Sequence, residues 1–258
     1  MIEIRNVSKT YSGNGKKAVD SLTWTVPDGS ITGFIGPNGA GKSTTLHMIT
    51  GVLEPDEGKI LINGYDIRRD AMAARMQFGF VPDTPDVFLR LRAIEYLGFI
   101  ADLYKVPAEQ RSKFLREVPQ RLDMAEAMSN PILSMSHGMR QKVMIMGALI
   151  HNPSVWILDE PMVGLDPKSA FTVKEMMHEH AAAGNSVLFS THVLEVAEKL
   201  CDQISMISQG KQIYVGTLDQ LKETHPGDSL EKIFLDMTGA SQEIEDEEAA
   251  AKAGSAVS

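Results

Sequence analysis

The N-terminal part of the chain carries the apolar–polar alternation of β-strands. Every second residue over 22–26 is apolar, and the mostly apolar run 31–35 is short and followed by glycine, which is typical of a buried strand. Residues 59–62 form another such run and lead directly into Asn63-Gly64, a dipeptide preferred in two-residue hairpin turns. We expect antiparallel strands here, with one helix over 42–50 after the buried strand.

From about residue 87 to residue 152 the spacing of apolar residues changes to that of helices. Over 94–104 and again over 114–122, apolar residues recur at three- and four-residue intervals, and a third helix is expected over 139–150. Strand-like apolar runs return at 155–158, 186–190 and 203–207. Strands that alternate with helices predict a mainly parallel, covered sheet, which the all-helical segment interrupts.

These patterns predict one α/β domain over residues 1–236, followed by a tail. Its expected parts are a core over 1–86 and 153–217, a helical subdomain over 87–152 and a C-terminal helical segment over 218–236. Residues 237–258 are acidic and poor in large apolar side chains, so we predict a disordered tail there.

Composition and charge exclude some classes of binding partner. The chain has 25 Lys+Arg against 34 Asp+Glu and a net charge of −9, the wrong sign for a protein that holds nucleic acid by bulk charge. Cys201 is the only cysteine, which excludes an internal disulfide and fits a reducing compartment. No signal peptide is visible, and no apolar run approaches the roughly 20 residues that cross a bilayer. We therefore expect a cytoplasmic protein without a nucleic-acid partner.

A phosphate-binding loop stands between the buried strand and the first helix. The segment GPNGAGKST matches G-x-x-x-x-G-K-[ST], in which glycines turn successive N–H groups towards phosphate oxygens. Lys42 is expected at the β- and γ-phosphates, and the Ser43 hydroxyl at Mg²⁺. The predicted nucleotide contacts are Gly36, Pro37, Asn38, Gly39, Ala40, Gly41, Lys42, Ser43 and Thr44. The expected fold class is thus an α/β P-loop NTPase core with a mainly parallel sheet, an N-terminal antiparallel β part and an inserted α-helical subdomain.

Three further side chains follow buried strands. Asp159 ends the run 155–158, where its carboxylate can hold Mg²⁺, and Glu160 is placed to polarise an attacking water as general base. His192 follows the run 186–190 and is a candidate for contact with the γ-phosphate, because strand C-termini line the ligand crevice in such sheets. The expected catalytic residues are Glu160, His192 and Lys42.

Together these motifs resemble the ATP-binding subunits of ABC transporters over roughly residues 2–239. Met135-Ser136-His137-Gly138-Met139 stands where that family has Leu-Ser-Gly-Gly-Gln, and Gly164-Leu165-Asp166-Pro167 resembles the loop whose aspartate crosses the dimer interface. His192 matches the family's switch histidine, and Tyr11 matches the aromatic residue on which adenine stacks.

The resemblance implies ATP and Mg²⁺ as ligands and a head-to-tail dimer with a second ATP-binding subunit. Ser136 and Gly138 would precede a helix that starts near Met139, and its N-terminus would complete the site for ATP held by the other subunit. Asp166 would lie at the same interface.

Two departures from the family pattern affect the expected chemistry. His137 and Met139 replace a glycine and a glutamine, so the glutamine contacts to ATP are lost. Asp83 stands where the family has glutamine after the proline of Phe80-Val81-Pro82. It can ligate Mg²⁺, but its charge repels the γ-phosphate, and we expect slower hydrolysis than in a glutamine enzyme.

The exporter branch of the family gives the best resemblance. The features that carry it are the pattern S-x-G-M-x-Q over 136–141, the acid at Asp83 and the terminal segment 230–235. An integral membrane subunit is therefore expected to dock in a groove flanked by Asp83 and Tyr96, which places the chain at the cytoplasmic face of the membrane.

Two alternatives remain open from the sequence. One is a soluble ABC-type ATPase that acts on ribosomes or DNA, although such proteins usually carry two cassettes or long coiled coils and basic surfaces. The other is a P-loop kinase, for which no acceptor site is visible and which leaves the segment 135–139 unexplained.

Overall fold

Two sheets and the helices packed around them form the chain, in a computed structural model that describes residues 1–11 and 15–239. The strands are β1 (Ile2–Thr10), β2 (Lys17–Val26), β3 (Ile31–Ile35), β4 (Glu57–Ile62), β5 (Tyr65–Asp66), β6 (Phe78–Val81), β7 (Val155–Asp159), β8 (Ser186–Thr191), β9 (Gln203–Ser208) and β10 (Lys211–Thr217). The helices are α1 (Lys42–Ile49), α2 (Ala71–Arg75), α3 (Ala93–Leu103), α4 (Ala108–Arg121), α5 (His137–Leu149), α6 (Pro167–Ala182), α7 (Leu194–Leu200), α8 (Leu218–Thr224) and α9 (Leu230–Thr238), with 3-10 turns at Ala125–Ala127 and Ile132–Ser134.

The first sheet is antiparallel and has the strand order β2-β1-β4-β5. Its last hairpin turns at Asn63-Gly64, where both residues have positive φ, 49° and 82°. These angles are those of the turn that the dipeptide predicts. The expectation of an N-terminal antiparallel β part is confirmed.

The second sheet has the order β10-β9-β3-β8-β7-β6 and is parallel except for the pair β10–β9. The predicted mainly parallel sheet is confirmed. The pattern did not single out β6, β10 or α2. β6 and α2 have only four and five residues, and the edge strand β10 is nowhere fully buried, so its apolar contrast is weak.

Helices α3, α4 and α5 form the insert between β6 and β7, as predicted. The helix α5 begins at His137, two residues before the expected start, because the Ser136 hydroxyl accepts a hydrogen bond from the Met139 N–H and caps the helix there. Gly138 therefore lies in the first turn and does not precede the helix.

The C-terminal helical segment continues to Thr238, slightly beyond the expected end at residue 236. Residues 240–258 of the predicted acidic tail lie outside the described residues. Within 1–11 and 15–239, no helix is both long and apolar enough to cross a bilayer.

The strand order brings the carboxyl ends of β3, β8 and β7 side by side. Ile35 pairs with Thr191, and Ser190 pairs with Asp159, so the residues that follow these strands meet at one edge of the sheet. In open α/β sheets this edge is where ligands bind.

Candidate functional site

The loop between β3 and α1 has a conformation that requires glycine at its end. Gly41 caps α1 with φ 111°, in the left-handed region. A Cβ atom at this position would stand 2.6 Å from the Ala18 carbonyl oxygen. A larger residue would therefore push the end of the loop away from Ala18 and disturb the N-terminus of α1, whose free N–H groups favour an anion.

Lys42 is held inside this loop by backbone carbonyls. Its Nζ donates to Gly36 O at 2.8 Å and to Pro37 O at 3.3 Å, and only 6% of the residue is exposed. The same ammonium lies 3.4 Å from Glu160 Oε1. A buried cation is thus placed between the loop and the general-base candidate.

Asp159 is fully buried at the end of β7. Burial raises the pKa of its carboxyl above the usual range, and the charges of Asp83 and Glu160 act in the same direction, whereas the hydroxyls of Ser190 and Ser43 lower it. Ser190 Oγ donates to Asp159 Oδ1, but Oδ2 is buried with no hydrogen-bond partner. A buried carboxylate oxygen without a donor is available to a cation.

Glu160 follows in a strained backbone conformation, with φ 47°. Its N–H donates to Ser190 Oγ at 3.0 Å, and its Oε1 lies 3.0 Å from His192 Nδ1. The carboxylate is therefore held between Lys42 and His192, the other two residues predicted to act in catalysis.

Most of the predicted residues of the loop line one open cavity of about 390 Å³, whereas Gly36, Pro37 and Ala40 do not line it. Tyr11 stands at its edge, half exposed, with its hydroxyl 3.4 Å from Thr44 Oγ1. Asp83 also lines the cavity, as the sequence predicts. The lining residues are Tyr11, Ala18, Asn38, Gly39, Gly41, Lys42, Ser43, Thr44, Asp83 and Glu160.

A second group of predicted residues does not line this cavity. Ser136 caps α5, and Asp166 caps α6 by accepting hydrogen bonds from the N–H and the hydroxyl of Ser169, which lower the pKa of Asp166. Gly138 packs against the backbone of Gly164, so both caps belong to one surface of the chain. Their expected role towards a second subunit's ATP stays a prediction.

Tyr96 is not available at the surface, contrary to the expected docking groove. Its exposure is only 7%, because Phe88 covers it with a ring-centroid distance of 5.6 Å and its ring packs against Gly147. Burial also raises the pKa of Tyr96 to about 12. The exposed apolar side chains nearest to it are Phe88 and, one turn along α3, Phe99.

Ser190 is the functional residue that sequence reasoning missed. Its hydroxyl donates to Asp159 and accepts from the Glu160 N–H, and so it fixes both carboxylate residues. A polar residue at the end of the apolar run 186–190 was the available signal. Its meaning depends on the β7–β8 register, which the sequence does not state.

The family model "ABC transporter" matches residues 19–163, more than half of the chain. The chain belongs to this family. It is 34% identical over 243 residues to the linearmycin resistance ATP-binding protein LnrL of Bacillus subtilis. This alignment covers 94% of this chain and 76% of the relative. It is also 34% identical over 236 residues to the Nod factor export ATP-binding protein I of Sinorhizobium fredii, with coverage of 90% and 67%.

Solved ABC cassettes share the fold. The dimeric post-hydrolysis state of the ATP-binding cassette MJ0796, bound to ADP and Pi, superposes with a TM-score of 0.76 at 25% identity, over 84% of this chain and 99% of that chain. This ABC transporter chain is an ATP-binding subunit and an ATPase.

Proposed function

We propose that two copies of this chain, or this chain and a homologous subunit, close head to tail around ATP. The observation that carries the proposal is the separation of two anion-binding elements on one molecule. The phosphate loop lines the ATP cavity, whereas the capped N-terminus of α5 lies outside it. A second molecule in the opposite orientation brings its Ser136 to this cavity. The dimeric state of MJ0796 supports this arrangement.

The residues beside the phosphate loop fit a Mg²⁺ ion. Asp159 Oδ2 is buried and accepts no hydrogen bond within 3.5 Å, while the Ser43 hydroxyl lies near enough to lower the pKa of this carboxyl and Asp83 adds a nearby charge. Within residues 1–11 and 15–239, no three His, Cys, Asp or Glu side chains form a cluster that could hold a metal ion, whereas Mg²⁺ is usually held by one or two carboxylates together with substrate phosphates. When bound, the ion neutralises developing charge on the phosphates.

Hydrolysis of ATP is assigned to the side chains at the ends of β7 and β8. Glu160 accepts the proton of the attacking water, and His192 orients its carboxylate through the 3.0 Å contact. Lys42, fixed by two carbonyls, stabilises charge on the transferring phosphoryl group. Tyr11 offers its exposed ring to adenine.

The dimer is tested with Glu160→Gln. We expect this variant to lose hydrolysis by about 10²- to 10⁴-fold, the usual contribution of a general base, while it keeps Mg-ATP and accumulates as a dimer. Phosphate release and size-exclusion chromatography with ATP measure the two effects. Glu117→Gln, an exposed isosteric change on α4, is the matched control. Full steady-state hydrolysis by Glu160→Gln would exclude the general-base role.

We further propose that ATP hydrolysis drives export through a separate membrane subunit that holds the chain at the cytoplasmic face of the membrane. A relative is named for Nod factor export and another for linearmycin resistance, which supports export over action on ribosomes or DNA. The net charge of −9 also disfavours binding to ribosomes or DNA.

The surface proposed to meet the membrane subunit is an apolar docking patch made of Val87, Phe88, Phe99 and Leu103. Their exposures are 38%, 50%, 46% and 61%, and the rings of Phe88 and Phe99 lie 5.5 Å apart. Phe99 and Leu103 are four residues apart on α3 and so share a face. Contiguous exposed apolar side chains commonly mark a protein interface.

A further inference from the structure

The loop that begins α6 is packed against the first turn of α5. We call residues 164–166 the interface loop. Gly138 approaches it so closely that a Cβ atom on Gly138 would collide with the Gly164 carbonyl oxygen. The His137 ring lies directly over Gly164, where a Cβ atom would collide with its Cδ2 and stand 3.2 Å from its Nε2. The imidazole ring of His137 thus occupies the space that the missing side chain of Gly164 leaves free.

A charge interaction at longer range also links these two elements. Lys142, one turn further along α5, is only 7% exposed and forms no ion pair within 4.0 Å in the described part of the chain. Its charge reaches Asp166, where it adds to the two Ser169 hydrogen bonds that hold the pKa of that carboxyl low. Buried cations are retained where a nearby anion compensates them. The interface loop therefore packs on α5 at Gly164, and the charge of Lys142 acts on Asp166 at its other end.

We propose that His137 is a positioning residue for ATP hydrolysis, because its ring fixes the interface loop of its own chain in register with the neighbouring Ser136. The proposal rests on the ATP-bound dimer proposed above. In that dimer Ser136 and Asp166 both face the second subunit. Their relative position therefore decides whether both residues contact the second subunit when the dimer closes. His137 stands where the resembled family has glycine, and Gly164 supplies the space for its ring.

The proposal predicts a split between kcat and KM. ATP is first held by Tyr11, Lys42 and the phosphate loop, and His137 does not line the cavity that these residues form. We expect His137→Ala to lower kcat about fivefold, within the range of couplings carried by residues that contact neither ligand, and to leave the KM for ATP within about twofold. His178→Ala, which removes an exposed histidine from α6, is the matched control and leaves both constants unchanged.

A double-mutant cycle tests the contact itself. Gly164→Ala, with φ 77° and a ring above it, should lower kcat about tenfold. If His137 acts through Gly164, the variant with both changes is about as active as Gly164→Ala alone, because the new methyl group already displaces the ring and removing the ring then costs no further activity. Independent effects would instead multiply to about fiftyfold and would overturn the proposal.

A shape-conserving variant separates positioning from loss of folding. His137→Phe keeps a flat ring over Gly164 and should retain kcat within about twofold, even if His137→Ala folds poorly. A loss equal to that of His137→Ala would contradict a packing role. The Glu160→Gln dimer assay distinguishes the two levels of failure. If Glu160→Gln stays monomeric with ATP, the proposed dimer is wrong. If it forms a dimer but the losses of kcat in the double-mutant cycle multiply, only the proposed role of His137 is wrong.

Discussion

At the scale of single residues, one hydroxyl organises the catalytic edge of the sheet. Ser190 donates to the carboxylate of Asp159 and accepts from the N–H of Glu160, which sits at φ 47°. The strained residue is the proposed general base, and backbone strain often occurs at functional sites. His192 and Lys42 then fix that carboxylate from two sides.

Asp83 is the residue whose replacement should raise activity. It lines the ATP cavity, and its charge contributes to the raised pKa of Asp159, so it places a negative charge where phosphates bind. We expect Asp83→Gln to increase steady-state ATP hydrolysis by about two- to tenfold, because repulsion of the γ-phosphate is removed and an amide donor is added. Phosphate release at saturating ATP measures the effect.

Asp83→Asn is the matched comparison for this prediction. It removes the charge without the reach of the longer amide, so a smaller gain than in Asp83→Gln is expected. An unchanged or lower rate in Asp83→Gln would show that Asp83 is adapted to this site, for example as a ligand of Mg²⁺.

At the scale of elements, a half-buried histidine and a buried one lie where helices meet the sheet. His151 follows α5 and stacks on Tyr104, the C-cap of α3, with centroids 3.8 Å apart, and its Nε2 lies 3.2 Å from Phe78 O. His180, in α6, meets Trp156 of β7 edge to face. Burial lowers the pKa of both imidazoles to about 4. Both are therefore neutral in the folded chain at neutral pH.

These histidines predict a loss of stability in mild acid. Between the unfolded pKa of about 6.5 and the folded pKa of about 4, the unfolded chain binds protons that the folded chain does not. The free energy of unfolding should therefore fall as pH decreases through this window, by at most about 1.4 kcal/mol per pH unit for each group. Urea denaturation at about pH 7 and about pH 5 measures it.

His151→Phe should flatten this pH dependence while it keeps the stacked ring. His178→Ala, which removes an exposed histidine, should leave it as in the unmodified chain. Equal pH dependence in all three proteins would show that buried histidines do not control stability in acid.

At the scale of the whole molecule, the apolar docking patch and the ATP cavity can be separated by mutation. Phe99→Ser together with Leu103→Ser should leave the ATPase activity of the isolated subunit within about twofold, because neither side chain lines the cavity. The same variant should lose co-purification with its membrane subunit. Val215→Ser, on the exposed edge strand β10, is the control. Retained co-purification by the double variant would place the docking surface elsewhere.

The sequence was sufficient for features that neighbouring residues build together. The phosphate loop, the Asn63-Gly64 turn and the apolar strands depend on consecutive backbone angles and on local periodicity, and each appears as predicted. Short elements were missed for the same reason, since the four residues of β6 contain too little periodicity to register. The exact start of α5 also depends on neighbouring residues. It was not predicted because the sequence does not state which of several polar residues caps the helix.

The amino-acid sequence by itself determined the class of the fold and the candidate residues of the ATP site, because both depend on contiguous segments of the chain. Only the tertiary structure decided that Ser190 meets Asp159, that Tyr96 is covered by Phe88, and that His137 rests on Gly164. The first depends on the register between strands and the other two on side-chain packing between segments. Such pairings are fixed by the best burial of the whole core and not by any one stretch of chain.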